Sequence, residues 1–299
     1  MITRINRNIH EVKPDRKQIE LLLISDVHFD SPHCNRDLLR SHLNEAVRRN
    51  AYVLINGDFF DLMNGRGDPR RSKDEIRQEY NRVNYIDSVI QDAVEWLRPY
   101  ADRILLIGYG NHETSVIKNI ETDVLARFVT LMQYVHKSPV QLGGYGGVVA
   151  FNVGVGNHCA TTSLKYFHGS GGGGIVTKGV IQNQRLLANT EGYDVLWQGH
   201  VHELYHHTDM VERYWHSVKK VCHRQVDQIR TSTYKEEYED GFMGFHIERG
   251  ANVKPLGGYW MRIEYIRSQD KGKDFDYNKV TFEQCKGIYT QSGTNSKQQ

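Results

Sequence analysis

Asp26 and His28 stand one residue apart just beyond the apolar run "LLLI" at residues 21–24. In an extended chain residues two apart leave on the same side, so a carboxylate and an imidazole emerge together, as ligands of one cation would. The pattern recurs. Asp58 follows "YVLING", Asn111 and His112 follow "ILLIGYG", His168 follows "SLKYF", and His200 and His202 follow "DVLWQG". Carboxylate, imidazole and amide oxygen suit divalent Mn, Fe, Zn, Co or Ni, and Asp26, His28, Asp58, Asn111, His168, His200 and His202 together exceed what one tetrahedral zinc takes. Two ions fit such a set better. Ions ~3.5–4 Å apart can clamp a phosphoryl group and turn a water into hydroxide. Any one of these short motifs arises by chance, since Gly-Asp and Gly-Asn also make ordinary turns; five in order, each after an apolar strand, carry the reading.

The elements between them have the right periods. "RDLLRSHLNEAVRRN" places Leu38, Leu39, Leu43 and Ala46 at helical spacing, Lys73 to Arg98 does the same as one helix or two with Pro99 as its stop, and "IETDVLARFVTLMQY" is a further amphipathic helix. Strand and helix alternate from residue 20 to residue 135, the order of an α/β core with parallel strands, in which ligands gather at the strands' carboxyl ends. Near residue 139 the character changes to short strands joined by glycine turns, with one more helix at "VIQNQRLLAN". Neither linker nor repeat divides the chain. The expected organisation is one domain over residues 1–266 and a polar, partly disordered tail over 267–299.

Composition excludes more than it proposes. With 39% hydrophobic and 25% charged residues, the 299-residue chain is an ordinary globular protein rather than a disordered or fibrous one. A net charge of +2 supplies no global field for nucleic acid, so any such binding needs a local patch. Cys34, Cys159, Cys222 and Cys285 have no CxxC spacing, and the N-terminus has no apolar signal segment. The expectation is a soluble cytoplasmic protein with reduced thiols and no membrane partner.

The five blocks "DVH", "GDFFD", "GNHE", "FHG" and "GHVH" resemble the motif set of the calcineurin-like metallophosphoesterase superfamily, over residues 20–265. That resemblance implies a four-layer α/β/β/α sandwich and two bound divalent ions, Mn first among them. It implies that Asp26, His28 and His202 hold one ion, that Asn111, His168 and His200 hold the other, and that Asp58 bridges the two. His112 would act on the leaving-group oxygen, and the Asp61 carboxylate would orient the His112 ring. The implied activity is hydrolysis of a phosphodiester, nucleic acid or nucleotide included, by a metal-activated hydroxide; a phosphomonoesterase and a non-hydrolytic metal-binding scaffold are the alternatives. Leu62 and Met63 follow Asp61 where the protein Ser/Thr phosphatases carry Arg-Gly, which argues against a protein substrate. "NGDFFD" is closer to the second block of phosphodiesterases and DNA-repair nucleases.

Three further stretches bear on substrate. Arg66, Arg70 and Arg71 follow the second block and could grip phosphates bidentately, though a solvated loop has the same composition. "HGSGGGG", residues 168–174, lacks the Lys-Ser/Thr end of a P-loop and reads as a loop that lets backbone approach the site. Lys219, Lys220, Arg224 and Arg230 alternate with apolar residues, as on an exposed strand.

Overall fold

The computed structural model describes residues 2–63, 76–174, 176–236, 238, 250, 252–270 and 273–286. Its strands are β1 (Ile2–Asn6), β2 (Ile9–Val12), β3 (Gln18–Ile24), β4 (Tyr52–Asn56), β5 (Ile104–Gly108), β6 (Gln141–Leu142), β7 (Gly146–Val155), β8 (His158–Phe167), β9 (Val195–Gln198), β10 (Tyr205–Trp215), β11 (Lys220–Arg230), β12 (Tyr259–Asp270) and β13 (Lys273–Gln284). The α-helices are α1 (Arg36–Arg48), α2 (Tyr85–Leu97), α3 (Asn111–Ile120), α4 (Val124–His136) and α5 (Val180–Ala188). The fold is mixed α/β, with two mixed sheets. One has the order β13-β12-β3-β4-β5-β6, the other β1-β2-β7-β8-β9-β11-β10.

The run "LLLI" is apolar without alternation because β3 is buried on both faces, as strands in the middle of parallel sheets are. Leu22 and Ile24, with Val53, Ile55, Ile104 and Ile107, pack on Leu39 and Leu43 of α1, Ile90 of α2 and Phe128 of α4. Leu21 and Leu23, with Leu54 and Leu106, face Phe151, Leu164, Val195 and Trp197 of the other sheet. Each such side chain contributes about 1.5–3 kcal/mol on burial. The strands that carry the candidate ligands therefore lie deep in the core.

β3, β4, β5 and β6 run parallel, and so do β8 and β9. Their carboxyl ends release the five blocks at one edge. Where a strand alone was expected to lead into Asn111 and His112, these two residues begin helix α3. The expected tail is in part strand: β12 continues past residue 266 to Asp270 and pairs in register with β13 as far as Gln284. Polar residues there alternate with Val280 and Phe282, which pack on the cluster between the sheets, so one inward face is enough to hold a strand of otherwise polar composition. Residues 287–299 lie outside the described part. Among the described residues no helix is long and apolar enough to cross a membrane.

Candidate metal centre

Asp26 and His28 do not project from a continuing strand. β3 ends at Ile24, and Asp26 and His28 adopt left-handed backbone with φ of 50° and 49°. Asp58, His200 and His202 do the same, with φ of 48°, 72° and 54°. Non-glycine residues seldom take this conformation, and it costs of order 1–3 kcal/mol each. Five of the seven candidate ligands share it. Between them Val27, Phe29 and Phe59 are buried, with Phe29 and Phe59 stacked at 5.6 Å, so the turns are pinned by apolar residues while the polar ones converge.

Among the described residues three groups could hold a metal ion, Asp26/His28/His202, Asp58/His168/His200 and His28/Asp61/His112; in each the donor atoms lie within 4.8 Å of one another, and the first two contain only candidate ligands. His168 joins the two, its Nε2 standing 3.1 Å from Asp58 Oδ2 and 3.9 Å from Asp26 Oδ1. The donor chemistry fits a cation. Among the described residues Asn111 Oδ1 and His200 Nδ1 are buried with no hydrogen-bond partner, a costly arrangement unless something accepts their lone pairs. Two imidazoles are turned for the same purpose. His168 Nδ1 donates to the Asn56 carbonyl at 2.7 Å and His28 Nδ1 to Asp61 Oδ1 at 2.7 Å, which turns both Nε2 atoms toward the site, the usual support of a metal-binding histidine.

The charges are set by one another. Burial opposes the charge on Asp58, but the imidazoles of His168 and His112 hold its carboxyl well below the usual range. Burial keeps His28 and His200 neutral, their titration falling below that of a free imidazole. His168 goes the other way. Burial would lower it, yet the Asp58 and Asp26 carboxylates raise it to about 10. Without a cation it is imidazolium at neutral pH, and a cation taking its Nε2 must displace a proton. Calorimetric Mn titrations at pH 7, in buffers of different ionisation enthalpy, should show about one proton released from this group on metal uptake. Affinity should climb as pH rises toward 10, and uptake without proton release would contradict the assignment of His168.

Glu113 and Asp30 are the struts of the site. Glu113 accepts N–H groups from Gly110, Asp58 and Phe60 at 2.8, 3.2 and 3.0 Å, tying the second and third blocks together. Gly110 must be glycine, since a Cβ there would overlap Asp58 Oδ1 and the Asp58 amide. Gly169 has φ of 128°, and a Cβ on it would meet His200 Cβ at 2.7 Å; this is the close approach expected of the glycine loop, whose residues 170–174 are exposed. Asp30 accepts from the Asp61 and Leu62 amides at 2.6 and 2.9 Å and from the Tyr85 hydroxyl at 2.6 Å. The N-terminus of α3 is aimed inward too, the His112 amide donating to Asp58 Oδ1 at 2.9 Å where a helix N-terminus favours negative charge.

The role expected of Asp61 is corrected. Its carboxylate takes the hydrogen bond from His28, and His112 Nδ1 donates instead to the Asp61 main-chain carbonyl at 2.6 Å, with the carboxylate 3.6 Å away. The geometry of the turn decides this, because Asp61 reaches His28 with its side chain while its backbone faces α3. Asp61 is itself held ionised against burial by His28 and Lys235. Lys235, buried, reaches Asp61 Oδ2 at 3.4 Å. No block motif marked this lysine, nor the buried segment it belongs to, in which the Thr233 hydroxyl and the Tyr234 amide both donate to the Asp26 carbonyl at 2.7 and 3.1 Å. Arg230, expected on an exposed face, is buried and donates to Gln198 Oε1 at 3.0 Å, just before the fifth block. Arg66, Arg70 and Arg71 lie outside the described residues.

No protein-family model matches the chain, and no curated protein is significantly similar to it. Among solved structures, GAP50, the anchor in the inner membrane complex of Plasmodium, aligns over 92% of this chain and 91% of its own, at 10% identity and a TM-score of 0.38. A likeness of that size carries no argument about chemistry, so the reading of the site stands on its own residues.

Proposed function

We propose that the chain is a phosphoesterase dependent on two divalent metal ions, built as the four-layer sandwich of the calcineurin-like metallophosphoesterases and acting on a phosphodiester. The observation that supports this most is the pair of adjoining Asp/His groups with buried, unpartnered Asn111 Oδ1 and His200 Nδ1 between strand ends. Asp26, His28 and His202 would hold one ion, and Asp58, Asn111, His168 and His200 the other, with Asp58 shared. Bound there, the ions, Mn first among the candidates, would neutralise phosphoryl charge and lower the pKa of water to supply the nucleophile. The chain's own residues do the rest. Asp61 fixes the tautomer of His28, Asn56 that of His168, and Lys235 holds Asp61 ionised. His112 has its Nδ1 held by the Asp61 carbonyl, which fixes the ring, and its other nitrogen would serve a departing oxygen.

The choice of a diester rests on the second block, "GDFFD", and on its lack of the Arg-Gly extension. The test is turnover after Mn loading on a chromogenic diester, the matching monoester, a cyclic nucleotide, and single- and double-stranded DNA. Diester cleavage abolished by chelation is the expected result. Faster monoester cleavage would make it a phosphomonoesterase, and no turnover by fully loaded protein would make it a metal-binding scaffold. DNA cleavage would identify nucleic acid as the substrate.

A further inference from the structure

Each sheet has two edges, and in a soluble protein an edge strand exposes N–H and C=O groups to pairing by another chain unless it is short, bulged or covered. β1 has five residues and a register shift between Arg4 and Asn6. β6 has two residues. β13 is long, but the Asn278 amide donates to the Ala160 carbonyl and the Thr162 hydroxyl at 2.8 and 2.9 Å, fastening it to β8. β10 has none of these protections. It runs for 11 residues, pairs with β11 in unbroken register from Tyr205 to Trp215, and among the described residues nothing pairs with its outer side. Met210, Val211, Tyr214 and Trp215 on it are exposed.

The order of side chains says what fits there. Residues two apart share a face, so Asp209, Val211, Arg213 and Trp215 line one side of β10. When β10 is laid antiparallel against a second copy of itself with Val211 opposite Val211, Asp209 falls opposite Arg213 twice, and His207 opposite Trp215 twice. Neighbouring registers are worse. Centred between Met210 and Val211, Asp209 meets Glu212; centred on Glu212, two glutamates face each other; centred on Met210, His207 meets Arg213. Opposite charges across a strand pair stabilise by roughly 0.2–1 kcal/mol and like charges destabilise, so one register is favoured. Arg213 is free to make the exchange, since its present partner Glu191 is a solvent-exposed pair at 3.5 Å of little worth.

We propose that the chain forms a symmetric dimer by antiparallel pairing of β10 with β10 of a second copy, in the register centred on Val211. A two-fold axis requires such a self-complementary patch, and the pairing would join the two seven-stranded sheets into one. The contact is separate from the metal groups and does not depend on the reaction assigned to them. Sedimentation equilibrium of the full chain, across roughly a hundredfold range of concentration into the tens of micromolar, should show a dimer. Asp209→Arg and Arg213→Asp should each raise the dissociation constant on the order of tenfold, and the double variant should restore it, because the charges then pair in exchanged order. Val211→Lys, which sets two ammonium groups against each other at the axis, should give a monomer that melts cooperatively and takes up metal as the parent does. A parent that stays monomeric throughout overturns the proposal, and so do single variants that remain as dimeric as the parent. A double variant that fails to recover while folded overturns the register and, with it, the proposal.

Discussion

Asp58→Asn is expected to leave the chain unable to hold its full metal complement. Asp58 is buried beside His168 and His200 and contributes a formal charge that no other residue of that group supplies. An amide keeps the shape and loses the charge. The His112 amide can still donate to the oxygen of the new side chain, so the N-terminus of α3 keeps its anchor. Losing a partner of a metal ligand costs roughly 10–100-fold in affinity, and losing a ligand carboxylate should cost more. The Asp58/His168/His200 group should suffer most. If Asp58 is shared between the ions, the Asp26/His28/His202 group should weaken with it, and metal analysis after dialysis should fall from two ions per chain to one or none. A variant that binds two ions as tightly as the parent would remove Asp58 from the centre and, with it, the two-ion reading.

The gathering of these side chains was legible in the sequence because parallel strands point their carboxyl ends to one edge, and an apolar run without alternation marks a strand buried on both faces. "LLLI" before Asp26 and "YVLIN" before Asp58 both carried that signal. How the side chains are held was not legible. The pleat of a strand was expected to bring Asp26 and His28 together, whereas two left-handed residues do so, and nothing in a residue's identity announces that it will be forced into that conformation. Asp30 and Lys235 were missed for a different reason. Each acts through contacts distant in sequence, Asp30 through the Asp61 and Leu62 amides and Lys235 through the Asp61 carboxylate, and a charged residue in a loop reads as solvated until the fold buries it. Strand β13 is hard to read because its composition is polar and Val280 and Phe282 are the residues that pack inward; one strand-like patch is all that the sequence shows there.

His112→Ala should separate the metal centre from the chemistry. The contact between His112 and Asp58 runs through the His112 main-chain amide, so truncating the side chain leaves that carboxylate in place. Two ions should still bind. What disappears is an imidazole whose ring stands 4.8 Å, centroid to centroid, from that of His28, and whose Nδ1 is pinned to the Asp61 carbonyl. A carbonyl can only accept, so Nδ1 carries a hydrogen, and a proton given to a leaving oxygen would come from the other ring nitrogen of the protonated imidazole. A positioned acid of this kind contributes roughly 10²–10⁴-fold, and the variant should lose about that in kcat for a substrate with an alkoxide leaving group. With a p-nitrophenolate leaving group, which departs without help from an acid, the loss should shrink. Equal losses for the two would mean that His112 stabilises charge or shapes the site without donating a proton, and loss of metal from the variant would place the side chain in the metal centre itself.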